Sequence, residues 1–127
     1  AMLNGDIKVA DIPAAWNERF QEFFGMTPPD DTNGCLQDIH WSMGGLGYFS
    51  TYSLGNFNAA QLYHKAMQDD AVSTACDTAN YLPLLDWMRN HIHSKGSTLF
   101  PQDLMLSATG EATNPQYHLA HLKRRFL

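Results

Sequence analysis

Residues 34–41 read Gly34-Cys35-Leu36-Gln37-Asp38-Ile39-His40-Trp41, and Gly44, Gly45, Gly47, Tyr48 and Tyr52 follow closely. The block gathers an amide, a carboxylate, an imidazole, an indole and two phenols around a glycine-rich bend. Imidazole and phenol groups suit hydrogen-bond donation to a developing oxyanion. A carboxylate two residues before a histidine can fix an imidazole tautomer, although side chains at that spacing do not share a helix face. Glycines allow another group to approach the backbone closely. The same residues equally suit a buried aromatic cluster built around a hydrogen-bonded histidine.

The elements that must hold this block read as helices throughout. Asp11 and Pro13 give an N-cap and an early-turn proline ahead of a helix whose Trp16, Phe20, Phe23 and Phe24 form an apolar stripe. Gly25 ends that helix, and Met26 to Gly34, with Pro28-Pro29 and Asp30-Asp31, forms a loop. A short helix and a tight glycine loop come next, then a long helix over Tyr52 to Gln68, closed by a turn at Asp69-Asp70. Tyr81 to Lys95 is the clearest amphipathic helix, stopped by Gly96. Pro101 opens a further helix ended by Gly110, and Asn114-Pro115 opens the last, through Leu119, Leu122 and Phe126. Strand alternation, internal repeats and low-complexity tracts are absent. The expected architecture is a single all-α domain over residues 1–127.

Gly34 to Trp41 matches the GxxQDxHW signature of the thermostable (Taq-type) metallocarboxypeptidases at all five specified positions. The continuation resembles the GYFPTYxLGN run of that family, with Ser50 where proline is common and Leu54-Gly55-Asn56 intact. The segment Gly5 to Asn17 is similar to the stretch upstream of the signature. Pro83 to Arg89, Ala108-Thr109-Gly110 and Tyr117 also look familial.

This resemblance implies a mostly helical, homodimeric enzyme that removes C-terminal amino acids from peptides with a divalent metal, zinc or cobalt. In the family, two histidines of an HExxH helix and a downstream glutamate hold the metal, and the motif glutamate is the general base. No HExxH occurs in these 127 residues. His91 and His93 diverge on a helix, while His118 and His121 could share a face but have no motif acid beside them. They are read as surface or interhelix packing, so no metal ligand and no bound cofactor is assigned to this chain. The resemblance thus implies a C-terminal helical part, with the metal ligands and a carboxylate-binding arginine motif upstream. What remains is the substrate-facing wall. By resemblance, His40 hydrogen-bonds the substrate near the scissile bond and Tyr48 or Tyr52 stabilises the oxyanion. Gln37, Asp38 and Trp41 then bind substrate or orient His40.

Composition narrows the partners. The net charge is −5 with a pI near 5.5, which argues against nucleic acid and anionic membranes. Lys123-Arg124-Arg125 is the one basic cluster, and it suits the last turn of a helix. A low charged fraction of 17% with six methionines suggests much buried surface. Cys35 and Cys76 lack a framework spacing and read as reduced thiols of a cytoplasmic protein. No apolar run approaches a membrane span, and no signal peptide is evident. Ala1 ahead of Met2 reads as a tag residue. A part separated from its upstream half would expose apolar surface and self-associate, covering Trp41, Phe49 and Phe57.

Overall fold

The computed structural model describes residues 2–127; Ala1, the expected tag residue, lies outside them. Among the described residues there are seven α-helices and no strand, as the all-α expectation requires. Two compact units divide the chain, one ending at Tyr48 and the other running Phe49–Leu127.

The first unit holds α1 (Ile12–Phe24) and α2 (Ile39–Ser42). Pro13 sits in the first turn of α1, where a missing N–H costs nothing, and Gly25 ends the helix at φ 70°. Asp11 occupies the N-cap position, but its carboxylate does not cap α1; it accepts the Lys8 backbone N–H at 3.1 Å. Three of the four residues of the expected stripe make ring contacts, and Phe23 is exposed. Trp16 stacks on Phe20 at 6.4 Å, Phe20 meets Phe24 at 4.6 Å, and Trp16 sets its edge against Trp41 of the signature at 6.1 Å.

The second unit holds α3 (Ser50–Ala66), α4 (Asp70–Asp77), α5 (Leu82–His91), α6 (Pro101–Thr109) and α7 (Gln116–Phe126). Its core is Leu62, Met105 and Ala108, with Trp87, Met88 and Ile92 packed against them. Gln61 is 1% exposed and ties α3 to the α6–α7 turn. Its Nε2 donates to Thr109 Oγ1 at 2.9 Å and the Ala112 carbonyl at 3.1 Å, and its Oε1 accepts the Asn114 N–H at 2.9 Å. A buried amide is costly unless both ends are bonded, and here they are.

Four expectations change. The long helix begins at Ser50 and ends at Ala66, two residues earlier at each end than read. Asp69 does not merely close a turn. Its side chain accepts the N–H groups of Ala71 and Val72 and so starts α4, a helix absent from the sequence reading. The helix read over Tyr81 to Lys95 ends at His91, where the imidazole stacks on Trp87 and its Nδ1 meets the Trp87 carbonyl, and a 3₁₀ turn, His93–Lys95, follows. Finally, the buried hydrophobics among the described residues are only Cys35, Leu62, Ala66, Val72, Met105 and Ala108. Phe23, Phe24, Leu36, Ile39 and Met43 are exposed instead, because the first unit has no second layer of its own to cover them.

Candidate active-site wall

The loop before the signature is set by close packing at Gly34. A Cβ there would meet the Asp30 carbonyl at 3.1 Å and Pro28 Cβ at 3.3 Å. Cys35 beside it is 4% exposed and free, so both cysteines are thiols.

Asp38 then breaks the chain into α2. It lies just outside the helix with extended backbone, φ −91° and ψ 114°, and its Oδ1 accepts the His40 backbone N–H at 3.0 Å. The same Oδ1 lies 2.7 Å from His40 Nδ1. This resolves the spacing problem. Two residues apart on a helix the groups would diverge, but an N-cap side chain folds back over the first turn and reaches the ring.

Burial pushes the Asp38 carboxyl upward, but hydrogen bonds from the His40 backbone and ring and from the Trp41 indole outweigh it. The carboxyl therefore titrates below its ordinary value. An ionised carboxylate only accepts, so the proton in the Asp38–His40 bond sits on Nδ1. Neutral His40 then presents Nε2 as an acceptor, and protonated His40 presents it as a donor.

Glycines bring the phenol over this pair. Gly44 adopts φ 79° and Gly47 φ 77°, conformations that cost other residues energy. Gly45 donates its N–H to the His40 carbonyl at 2.7 Å, and a Cβ at Gly45 would lie 3.1 Å from that oxygen. Tyr48 donates its N–H back to the Gly45 carbonyl, and its ring stacks on His40 at 4.8 Å, 11° from parallel. His40 and Trp41 are half-buried, whereas Gln37 and Tyr48 are exposed. Tyr52 belongs to the second unit, where its ring meets Phe49 at 5.6 Å. The first unit therefore brings together Asp38, His40, Trp41 and Tyr48, while Gln37 faces solvent.

The family described as carboxypeptidase Taq (M32) metallopeptidase matches residues 1–126. The chain belongs to this M32 family. It is 37% identical to thermostable carboxypeptidase 1 of Thermus thermophilus over 99% of its own length and 25% of that relative. The solved structure of Trypanosoma cruzi metallocarboxypeptidase 1 superposes with a TM-score of 0.89 at 36% identity, over 98% of this chain and 26% of that one. The M32 carboxypeptidase of Deinococcus radiodurans gives 0.90 at 30% identity, over 97% and 25%. The chain thus spans about a quarter of the length of the M32 relatives it matches.

The family name implies a metal in the full enzyme. Among the described residues no three His, Cys, Asp or Glu side chains converge to hold one. His118 and His121 instead line an open groove between α3 and α7, with His64 and Arg124. No helix of the described residues is long and apolar enough to cross a membrane.

One paired carboxylate of the second unit escaped the sequence reading. Glu111 receives a short hydrogen bond from the Tyr117 hydroxyl and another from Asn114 Nδ2 at 3.1 Å. These bonds, Tyr117 first, hold its carboxyl below the ordinary value, and the same bond raises the Tyr117 hydroxyl. Nothing local marks this pair beyond the Pro-containing turn between its members.

Proposed function

We propose that this chain is the C-terminal part of a metal-dependent carboxypeptidase, supplying the substrate- and oxyanion-facing wall of the active site. One observation carries the reading. Within a complete GxxQDxHW signature, Asp38 fixes the His40 ring while Tyr48 stacks on it. Orientation of a hydrogen-bonding imidazole by a carboxylate is what transition-state stabilisation needs.

In this reading His40 binds the substrate near the scissile bond through Nε2. Tyr48 stabilises the oxyanion, with Tyr52 the other phenol candidate. Asp38 and Trp41 act through His40, and Gln37, exposed, reaches the substrate directly. The zinc or cobalt ion and its ligands belong to the remainder of the fold, so the chain alone is inactive. We place the enzyme in the cytoplasm, as a homodimer.

The exposed apolar residues of the first unit, Phe23, Phe24, Leu36, Ile39 and Met43, favour a second reading. The chain would then be a non-catalytic peptide-binding or assembly module that pairs with a metal-bearing chain.

The test measures zinc and cobalt binding by the purified chain and hydrolysis of a blocked dipeptide in the same samples. Neither stoichiometric metal nor hydrolysis is expected. Metal with activity would overturn the reading and make His118 and His121 the first residues to replace. Hydrolysis that appears only when a metal-bearing family chain is added would favour the assembly module. In such a reconstituted enzyme, His40→Ala should lower the rate by about 10²–10³-fold.

A further inference from the structure

The groove between α3 and α7 lies wholly within the second unit and has no part in the reading of the His40 wall. It is open and spans about 1020 Å³. His64 on α3 and His118, His121 and Arg124 on α7 line it, and Ala60 and Ala120 leave room along its apolar part.

The polar lining contains one guanidinium, three imidazoles, the amides of Asn56 and Gln116 and the phenols of Tyr63 and Tyr117, with Arg124 its one permanent charge and no carboxylate. The last turn of α7 adds Lys123 and Arg125 to the local charge. Glu111 interacts electrostatically with His64, while the Tyr117 hydroxyl and the Asn114 amide engage its two oxygens. Arg19 pairs with Glu22, Asp38 with His40 and Arg89 with Asp86. The guanidinium of Arg124 is in none of them. His64 is steadied by Tyr117, 4.8 Å away, and His118 by Phe57, 5.7 Å away.

The geometry points to a docking groove for an acidic peptide segment of another polypeptide. Its carboxylates would meet Arg124 and the imidazole N–H groups, and its backbone would lie along Ala60 and Ala120. Charge complementarity selects this occupant, because a guanidinium and imidazoles all donate to carboxylate. The extent of the groove suits several extended residues better than one small anion.

Titration of the purified chain with a fluorescein-labelled ten-residue Glu-Ala repeat tests this. Saturable binding is expected, with none for the matching Lys-Ala repeat. Arg124→Glu should weaken it by about tenfold or more, and about 0.5 M salt should weaken it strongly. Arg89→Glu, on α5 and already paired with Asp86, should leave it unchanged. Ring resonances of His64, His118 and His121 in the unaltered chain should shift together as peptide is added. No saturable binding overturns the proposal, as does equal weakening by Arg89→Glu. Displacement by inorganic phosphate at the peptide's own concentration would reduce the groove to a small-anion site. A dimer that sedimentation finds broken by Arg124→Glu would assign the groove to a second copy.

Discussion

The two units of this chain divide its properties unevenly. Residues 1–48 carry seven carboxylates against Lys8 and Arg19, which accounts for the whole net charge of −5. Residues 49–127 carry six of each sign. The first unit buries only two apolar side chains, Pro28 and Cys35, yet it holds the Asp38–His40–Tyr48 constellation. The second has Leu62, Ala66, Val72, Met105 and Ala108 and the four-bonded Gln61. Cohesion and chemistry therefore live in different places. Groups that meet a substrate must stay accessible, while a core must exclude water, and a short stretch cannot serve both ends well.

That contrast can be broken outright by cutting the chain. Residues 49–127 expressed alone should unfold cooperatively in urea, and residues 2–48 alone should show no cooperative transition by circular dichroism. The opposite result would abolish the distinction.

Within the second unit, Met105→Ala should cost about 3 kcal/mol, since Met105 is 2% exposed and its loss leaves a cavity against Leu62 and Trp87. Urea denaturation measures it. Gln61→Leu should cost about 2 kcal/mol, because the Asn114 N–H and three acceptors lose a partner in a buried place. A neutral result there would mean that water replaces the amide.

The first unit should respond in geometry more than in stability. Gly44→Ala must hold an L residue at φ 79°, at about 1 kcal/mol, and should loosen the Tyr48 ring from His40. Ring-current shifts on the His40 imidazole report that stack. Its pH response has a definite sign. Asp38 titrates lower when folded than when unfolded, so its contribution is complete above the ordinary aspartate value of about 3.9 and fades as pH falls through the lower folded value. The His40 Nδ1 proton should stay in its bond with Asp38 as pH falls until that carboxylate itself takes up a proton. Loss of its characteristic NMR signal well above pH 4 would show that Asp38 does not hold the ring.

Much of this was legible because its causes are local. Pro13, Gly25, Pro101 and Gly110 fixed helix ends through one residue's own φ, and Gly25 and Gly110 indeed sit at positive φ. The GxxQDxHW residues named the family before any coordinate. The reading stopped short where a cap replaced a turn, as at Asp69, because an aspartate pair signals either outcome until the following N–H groups are placed.

Taken alone, the amino-acid order determined the helical class, the family and the identity of the His40 block, since each rests on contacts within a few residues. Tertiary structure decided the rest. That Gln61 is a buried tie, that Thr113 donates to Asn58 and that α3 and α7 enclose a groove all depend on residues some fifty positions apart. Periodicity carries no information at that separation, because closing so long a loop depends on the whole set of packed helices that compensates its entropy.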